Sequence, residues 1–207
     1  MIKGPKQKKE RALGTVLHLK AERSLSPKAA LTRRPYKPGQ HGPNTRRRRN
    51  VSDYGLQLQE KQKVKYTYGI SEQNLRFIMN EAQKATGDVS RQLVELLERR
   101  LDNAVFRSGL ALGRSVSRKL VIDGHIAVNG TRTKSPGFLL KIGDVLSVYE
   151  NSKSRAMFSE LRSELEKYEA PYWLELDAKN LSAKVVSLPS DIEVPFQIPL
   201  LVEAFSK

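Results

Sequence analysis

Between Gly124 and Thr133 the chain reads Gly-His-Ile-Ala-Val-Asn-Gly-Thr-Arg-Thr, a stretch with little conformational freedom. His125 to Asn129 alternates, with Ile126 and Val128 on one face, which is the period of a half-buried strand. Asn129-Gly130 supplies the two positive φ values of a type I′ turn, so a return strand over Thr131–Thr133 is predicted. Upstream, Val116, Leu120 and Val121 recur at helical spacing, with Gly113 at the start and Gly124 where the chain leaves the helix with positive φ. Turns follow at Pro136-Gly137 and Gly143-Asp144, and Val145 to Tyr149 offers another strand. The sequence here specifies a small helix-and-hairpin module.

Cations crowd onto that module. Residues 99–134 hold eight Lys/Arg against Asp102 and Asp123, a net +6. Residues 1–50 hold 15 Lys/Arg against Glu10 and Glu22, a net +13, while 51–98 and 135–207 come to −1 and −3. A polyanion is the natural partner of charge concentrated in this way. In the N-terminal part, Arg33, Arg34, Tyr36, Lys37, Gln40 and His41 lie in a Pro/Gly-rich stretch, followed by the run Arg46, Arg47, Arg48 and Arg49. Proline and glycine oppose regular helix there, so an extended or turning basic arm is predicted, with backbone donors available to phosphates. A basic run alone also fits a solvated tail or a localisation tract. The interleaved rings of Tyr36 and His41, which can stack on exposed bases, favour RNA.

Helices dominate the next fifty residues. Ser52-Asp53 opens one that runs through Leu56, Leu58, Lys61, Lys63 and Lys65 to Tyr68-Gly69, and Ser71 caps a second that breaks at Thr86-Gly87-Asp88. A third runs from about Ser90 to Arg107, with Leu93, Leu96, Leu97, Leu101 and Val105 as its core stripe. Lys61, Lys63 and Lys65 fit an exposed solubilising face and a phosphate contact equally. Farther on, Ala156–Lys167 reads as a charged helix, Pro171–Asp177 as an extended segment anchored by Trp173, and Leu200–Phe205 as a final turn too apolar to hang free.

Several classes of function are excluded or disfavoured. The chain has no cysteine, which rules out disulfides, thiolate zinc sites and cysteine nucleophiles. No apolar run approaches the roughly 18 residues of a membrane span, and Met-Ile-Lys-Gly-Pro at the start lacks a hydrophobic signal core, so a cytoplasmic protein without a membrane partner is expected. There is no glycine-rich phosphate loop ending in Lys-Ser/Thr, no His-Glu-x-x-His and no nucleophile elbow. Neither catalysis nor a cofactor is expected.

Five ordered blocks then carry a resemblance. Arg33-Arg34-Pro35-Tyr36 with Pro38-Gly39-Gln40-His41-Gly42, Ser52-Asp53-Tyr54-Gly55 with Glu60-Lys61-Gln62-Lys63, and Tyr68-Gly69-Ile70-Ser71-Glu72 are the first three. Leu97-Glu98-Arg99-Arg100-Leu101-Asp102-Asn103 and Gly124-His125-Ile126 with Val128-Asn129-Gly130 complete the set. In this order they resemble the bacterial-type S4 family of small-subunit (30S) ribosomal proteins, in a cysteine-free form, over essentially the whole chain. The family places four zinc-binding cysteines in the arm of many members; here those places fall on Gln7, Glu10, Ser24 and Ala29, so no zinc is expected.

The resemblance implies an α+β protein with three parts: a basic N-terminal arm over 1–50, a discontinuous helical domain over 51–97 and 163–207, and an inserted S4-type RNA-binding domain over 98–162. That inserted domain packs short helices on an antiparallel sheet. Implied partners are 16S rRNA, the neighbouring small-subunit proteins S3 and S5, and mRNA near the entry channel; implied roles are nucleation of subunit assembly and an influence on translational accuracy. Contacts to RNA are expected from the arm, from Tyr54 and the three lysines after it, and from a rigid cluster comprising Arg99, Arg114, Arg118, Lys119, His125, Asn129 and Arg132. For His125 a local hydrogen bond is an equal alternative, and Asn129 reads first as a turn residue. An RNA-modifying enzyme or another RNA-binding factor carrying the same module is the alternative reading.

Overall fold

The computed structural model describes residues 4–19, 23–24, 26–43, 51–159, 161–190 and 192–206. They run through α1 (Lys6–Leu13), α2 (Ala30–Arg33), α3 (Asp53–Tyr68), α4 (Glu72–Lys84), α5 (Val89–Glu98), α6 (Leu101–Arg107) and α7 (Arg114–Ile122). Strands β1 (Ile126–Val128), β2 (Thr131–Arg132) and β3 (Val145–Val148) follow, then a 3₁₀ turn at Glu150–Ser152. The chain continues through α8 (Ala156–Ser159), α9 (Leu161–Leu165), β4 (Leu174–Asp177), β5 (Ser182–Val185) and α10 (Ile198–Ser206). Two compact units result, residues 94–191 and residues 1–93 with 192–207.

The helical unit is built by caps and by one return of the chain. The hydroxyls of Ser52 and Ser71 accept hydrogen bonds from the Gly55 and Asn74 N–H groups at 3.3 and 3.2 Å, starting α3 and α4 as predicted. Leu75, Ile78, Met79 and Ala82 of α4 are buried in its core. The C-terminal segment lies on α3: Phe196 meets Tyr68 edge to face with centroids 6.3 Å apart. Buried Glu60 accepts the Gln197 N–H at 2.8 Å and pairs with Lys63 at 2.6 Å. Gln57 donates to Glu203 at 3.3 Å.

The N-terminal arm departs from the extended form expected of it. Pro5 precedes a helical turn without needing its own N–H, and α1 then runs to Gly14, whose φ of 67° ends it in the left-handed region. Beyond the helix the carboxylate of Glu10, only 3% exposed, accepts the N–H groups of Leu17 and Leu19 at 3.2 and 3.1 Å and the Ser24 hydroxyl at 3.2 Å. Leu17, Leu19 and Ala29 are buried. A carboxylate hub therefore organises this segment at two of the places, Glu10 and Ser24, where the resemblance puts cysteines. Glu10→Ala is expected to cost about 1–3 kcal/mol locally by leaving two buried N–H groups unpaired. Faster hydrogen exchange at the Leu17 and Leu19 amides checks this, and unchanged protection contradicts it. The stretch after α2 does turn rather than coil into helix, with Gly42 so close to the Lys37 carbonyl that an added Cβ would meet its oxygen at 1.8 Å. Arg46, Arg47, Arg48 and Arg49 lie outside the described residues.

In the second unit a five-stranded antiparallel sheet takes the order β2-β1-β3-β5-β4. Asn129 and Gly130 have φ of 51° and 78°, as the turn between β1 and β2 demands. Gly124 leaves α7 with φ of 74°, and a Cβ there would strike the Arg132 guanidinium at 2.4 Å. Leu120, Val121, Ile126, Leu146, Trp173 and Ala183 are among the buried residues.

Two corrections concern this unit. The helix expected from Ser90 to Arg107 breaks at Arg99-Arg100, because the 136–140 loop takes its backbone bonds. Leu101 N–H donates to the Phe138 carbonyl at 2.8 Å, Asp102 N–H to Pro136 at 3.1 Å, and Leu140 N–H to Arg99 at 3.0 Å. Residues 163–207 were expected to belong wholly to the helical domain, yet β4 and β5 extend the sheet, with Val145 opposite Lys184 and Leu174 opposite Val185. The alternation of Ser182-Ala183-Lys184-Val185 is the strand signal for that hairpin, and Ala183 and Val185 are its buried residues.

Candidate nucleic-acid interface

The break before α6 brings two acids under a set of arginines. Glu98 ends α5 and is fully buried, and its carboxylate accepts both Arg107 Nε at 2.9 Å and Arg107 Nη2 at 3.2 Å. Asn103 donates to it at 2.8 Å and in turn accepts Arg114 Nε at 2.8 Å, while the Arg114 guanidinium lies 4.5 Å from the Phe106 ring centroid. One turn away, Asp102 is held by Arg100 through paired bonds of 3.1 and 3.0 Å and by Arg118 at 2.7 Å. The Ser117 hydroxyl donates to the Asp102 backbone carbonyl, tying α7 to α6. Arginines from two helices are thus fixed by hydrogen bonds on their inner edges. Charge-assisted forks of this kind set both distance and plane.

Other predicted cations fall into distinct settings. Lys119 is exposed and pairs with no carboxylate among the described residues. Arg99 bonds Glu95 at 2.8 Å and the Leu140 carbonyl at 2.9 Å. Arg132 donates to the carbonyls of Gly124 and Asp123 at 2.7 and 3.0 Å, closing the β1–β2 hairpin back onto the end of α7. In the helical unit Lys61 and Lys65 both grip Glu72, at 2.6 and 2.9 Å. Burial opposes ionisation of that carboxyl, but the two ammoniums prevail and hold it below the usual carboxylate range. Tyr54 is 73% exposed on α3, and Arg33, Arg34, Tyr36, Lys37, Gln40 and His41 all stand at the surface. Arg11 organises that stretch, donating to the Arg34 and Tyr36 carbonyls at 3.1 and 3.0 Å and lying 4.9 Å from the Tyr36 ring centroid.

His125 and Asn129 have structural partners. His125 is buried, with Nδ1 3.0 Å from the Ser152 hydroxyl and its ring edge to face with Phe158. Burial, with the Arg155 charge adding to it, pushes its pKa down from the ordinary value. Its neutral form therefore contributes stability that is complete above the unfolded value of about 6.5 and is lost as pH falls from there toward the folded value. The melting temperature of the wild type is expected to fall as pH drops below about 6.5, and His125→Gln to flatten that fall. A slope unchanged in the variant contradicts the assignment. Asn129 donates to Asp144 at 2.9 Å and accepts the Val145 N–H at 2.9 Å, pinning the turn to the neighbouring strand.

Set beside known proteins, the chain matches two family models in succession, the ribosomal protein S4/S9 N-terminal domain over residues 1–98 and the S4 domain over 99–146. It is 45% identical over 206 residues to the small ribosomal subunit protein uS4 of Caldicellulosiruptor bescii, covering 99% of this chain and 98% of the relative. The chain belongs to the uS4 family. Its likeness to the uS4 of Roseiflexus castenholzii is 43% over 208 residues, and to that of Clostridioides difficile 43% over 196 residues, with 93% or more of each relative covered. The α+β architecture read from the sequence stands. Within the uS4 family frame the S4 domain begins at Arg99, one residue after Glu98, and takes in α6, α7 and the β1–β2 hairpin. Arg107, which the sequence reading did not single out, joins the cluster through Glu98. No local motif marks it, because its role depends on the chain reversing between α5 and α6.

Proposed function

We propose that this chain is a structural protein of the small ribosomal subunit that binds 16S rRNA directly. The observation that carries the reading is the cluster of Arg107, Arg114 and Arg118 on the S4-type fold, its guanidiniums fixed from behind by buried carboxylates. Folded RNA hides its major-groove base edges, so recognition of a multi-helix junction works by matching the layout of phosphates and 2′-hydroxyls. Cations held at preset positions suit that task, and release of condensed counterions supplies salt-sensitive affinity. The exposed cations and rings of residues 33–41 offer a second contact region, with Arg46, Arg47, Arg48 and Arg49 assigned to the same arm, while Lys119 is assigned to the rigid cluster of the S4-type module. Tyr54 and the lysines of α3 are assigned to RNA as well, the Glu72 pairing of Lys61 and Lys65 being open to exchange for phosphates, while Lys63 is held by buried Glu60.

Family resemblance supports early binding during subunit assembly, S3 and S5 as neighbours, a place near the mRNA entry channel and an effect on decoding accuracy. The near-full-length likeness to small-subunit proteins favours this over an RNA-modifying enzyme, since those matches cover 99% of the chain and leave no room for a catalytic domain. A tagged copy expressed in bacterial cells is expected to sediment with thirty-S particles and to crosslink to 16S rRNA. Sedimentation wholly apart from them, or uridine isomerisation by the purified chain, would contradict the reading.

A further inference from the structure

Two acids stand buried beneath the arginines of α6 and α7, Glu98 at 0% and Asp102 at 4% exposure. Burying a carboxylate forfeits solvation that an apolar side chain of equal volume never had, so stability alone is a weak reason for either. Each, moreover, faces two guanidiniums: Glu98 has Arg107 at 2.9 Å and Arg114 at 3.9 Å, and Asp102 has Arg100 at 3.0 Å and Arg118 at 2.7 Å. Both clusters keep a net positive charge. The excess reaches the surface through Arg107, Arg114 and Arg118, whose side chains are 27, 15 and 20% exposed, whereas Arg100 is buried.

Arg107 and Arg114 commit their inner N–H groups to Glu98 and Asn103, and Arg118 commits one. Arg118 uses Nη1 on Asp102, and its Nε is buried without a partner among the described residues. Arg114 is bonded through Asn103, whose amide also bridges to the Glu98 carboxylate and backbone carbonyl at 2.8 and 3.1 Å. We propose that Glu98 and Asp102 are positioning residues for the RNA: their carboxylates orient the guanidiniums of Arg107, Arg114 and Arg118 so that the outer N–H edges meet phosphates at a fixed spacing. The inference rests on the RNA-binding reading above. It means that two negative charges strengthen binding to a negative partner.

That consequence has a sign opposite to simple electrostatics. Glu98→Gln and Asp102→Asn each remove a negative charge, which by charge alone tightens binding to rRNA. Positioning predicts that each weakens it by roughly tenfold, the loss of one charge-assisted contact, and lowers the salt slope by nearly one phosphate. Circular dichroism of each amide variant under the binding conditions gives its folded fraction, and the apparent constant is multiplied by that fraction, because reversible unfolding weakens apparent binding by its inverse. The double variant Asp102→Asn/Arg118→Ala is expected to bind no more weakly than Arg118→Ala, because the acid acts through that arginine. Arg118→Lys, which leaves the buried acids intact, is expected to behave like Arg118→Ala, since an ammonium cannot bridge carboxylate and phosphate with a planar fork. This variant decides the matter even where an amide variant does not fold. Tighter binding by the amide variants, additive losses in the double variant, or wild-type affinity in Arg118→Lys would overturn the proposal. Wild-type affinity in Arg118→Ala would instead overturn the RNA reading of this site.

Discussion

Replacing Arg114 and Arg118 together by alanine is expected to weaken binding to folded small-subunit rRNA by roughly 30- to 150-fold, on the basis of about 1–1.5 kcal/mol per lost guanidinium–phosphate contact. The slope of log affinity against log salt is expected to flatten by roughly 1.5–2, in proportion to two phosphates no longer neutralised. The pair suits the test because neither buried acid is stranded. Glu98 keeps its twofold bond from Arg107, and Asp102 keeps Arg100. The fold is therefore expected to survive, and circular dichroism checks that. Filter binding across a salt series reads the effect; an unchanged slope would remove both residues from the interface.

The largest effect on stability is expected at Trp173. It is fully buried just before β4, and its carbonyl accepts the Val186 N–H at 3.0 Å, so it seats the β4–β5 hairpin from its position in the core. Trp173→Ala is expected to cost about 3–5 kcal/mol through lost burial and the cavity left behind. For a unit of this size that corresponds to a fall in melting midpoint of roughly 12 °C or more. Trp173→Phe is expected to cost much less, because the buried indole N–H has no hydrogen-bond partner among the described residues and the phenyl ring leaves no polar atom unpaired. Equal losses for the two variants would mean that the indole nitrogen is bonded in the folded protein. A small loss for the alanine variant would mean that the hairpin is not anchored there.

Local signals accounted for much of this architecture. Ser52 and Ser71 cap their helices because a hydroxyl three residues upstream of an N–H is a matter of chain geometry alone. Asn129-Gly130 turns for the same reason. What escaped was set by contacts distant in sequence. Leu97, Leu101 and Val105 do share one apolar stripe and are all buried, but the loop at 136–140 outcompetes the helix for the backbone at Arg99 and Arg100. The same competition places Arg107 over Glu98, which no spacing rule anticipates. In the arm, the prolines and glycines that oppose helix cluster near residue 40 and do not reach Lys6–Leu13, an ordinary helix whose Glu10 works as an acceptor for the loop after it. For His125 and Asn129 residue type alone left two roles open, and the partners Ser152, Asp144 and Val145 supply structural tasks for both.

Binding constants for folded 16S rRNA and for duplex DNA of matched length, taken side by side at physiological salt, bear most directly on the claim that fixed cations match a fixed RNA surface. Preorganised guanidiniums predict a preference for the rRNA of at least roughly 100-fold, since shape adds to an electrostatic attraction that both polymers share. Equal affinity for the two would mean that charge alone binds them, and would contradict the account.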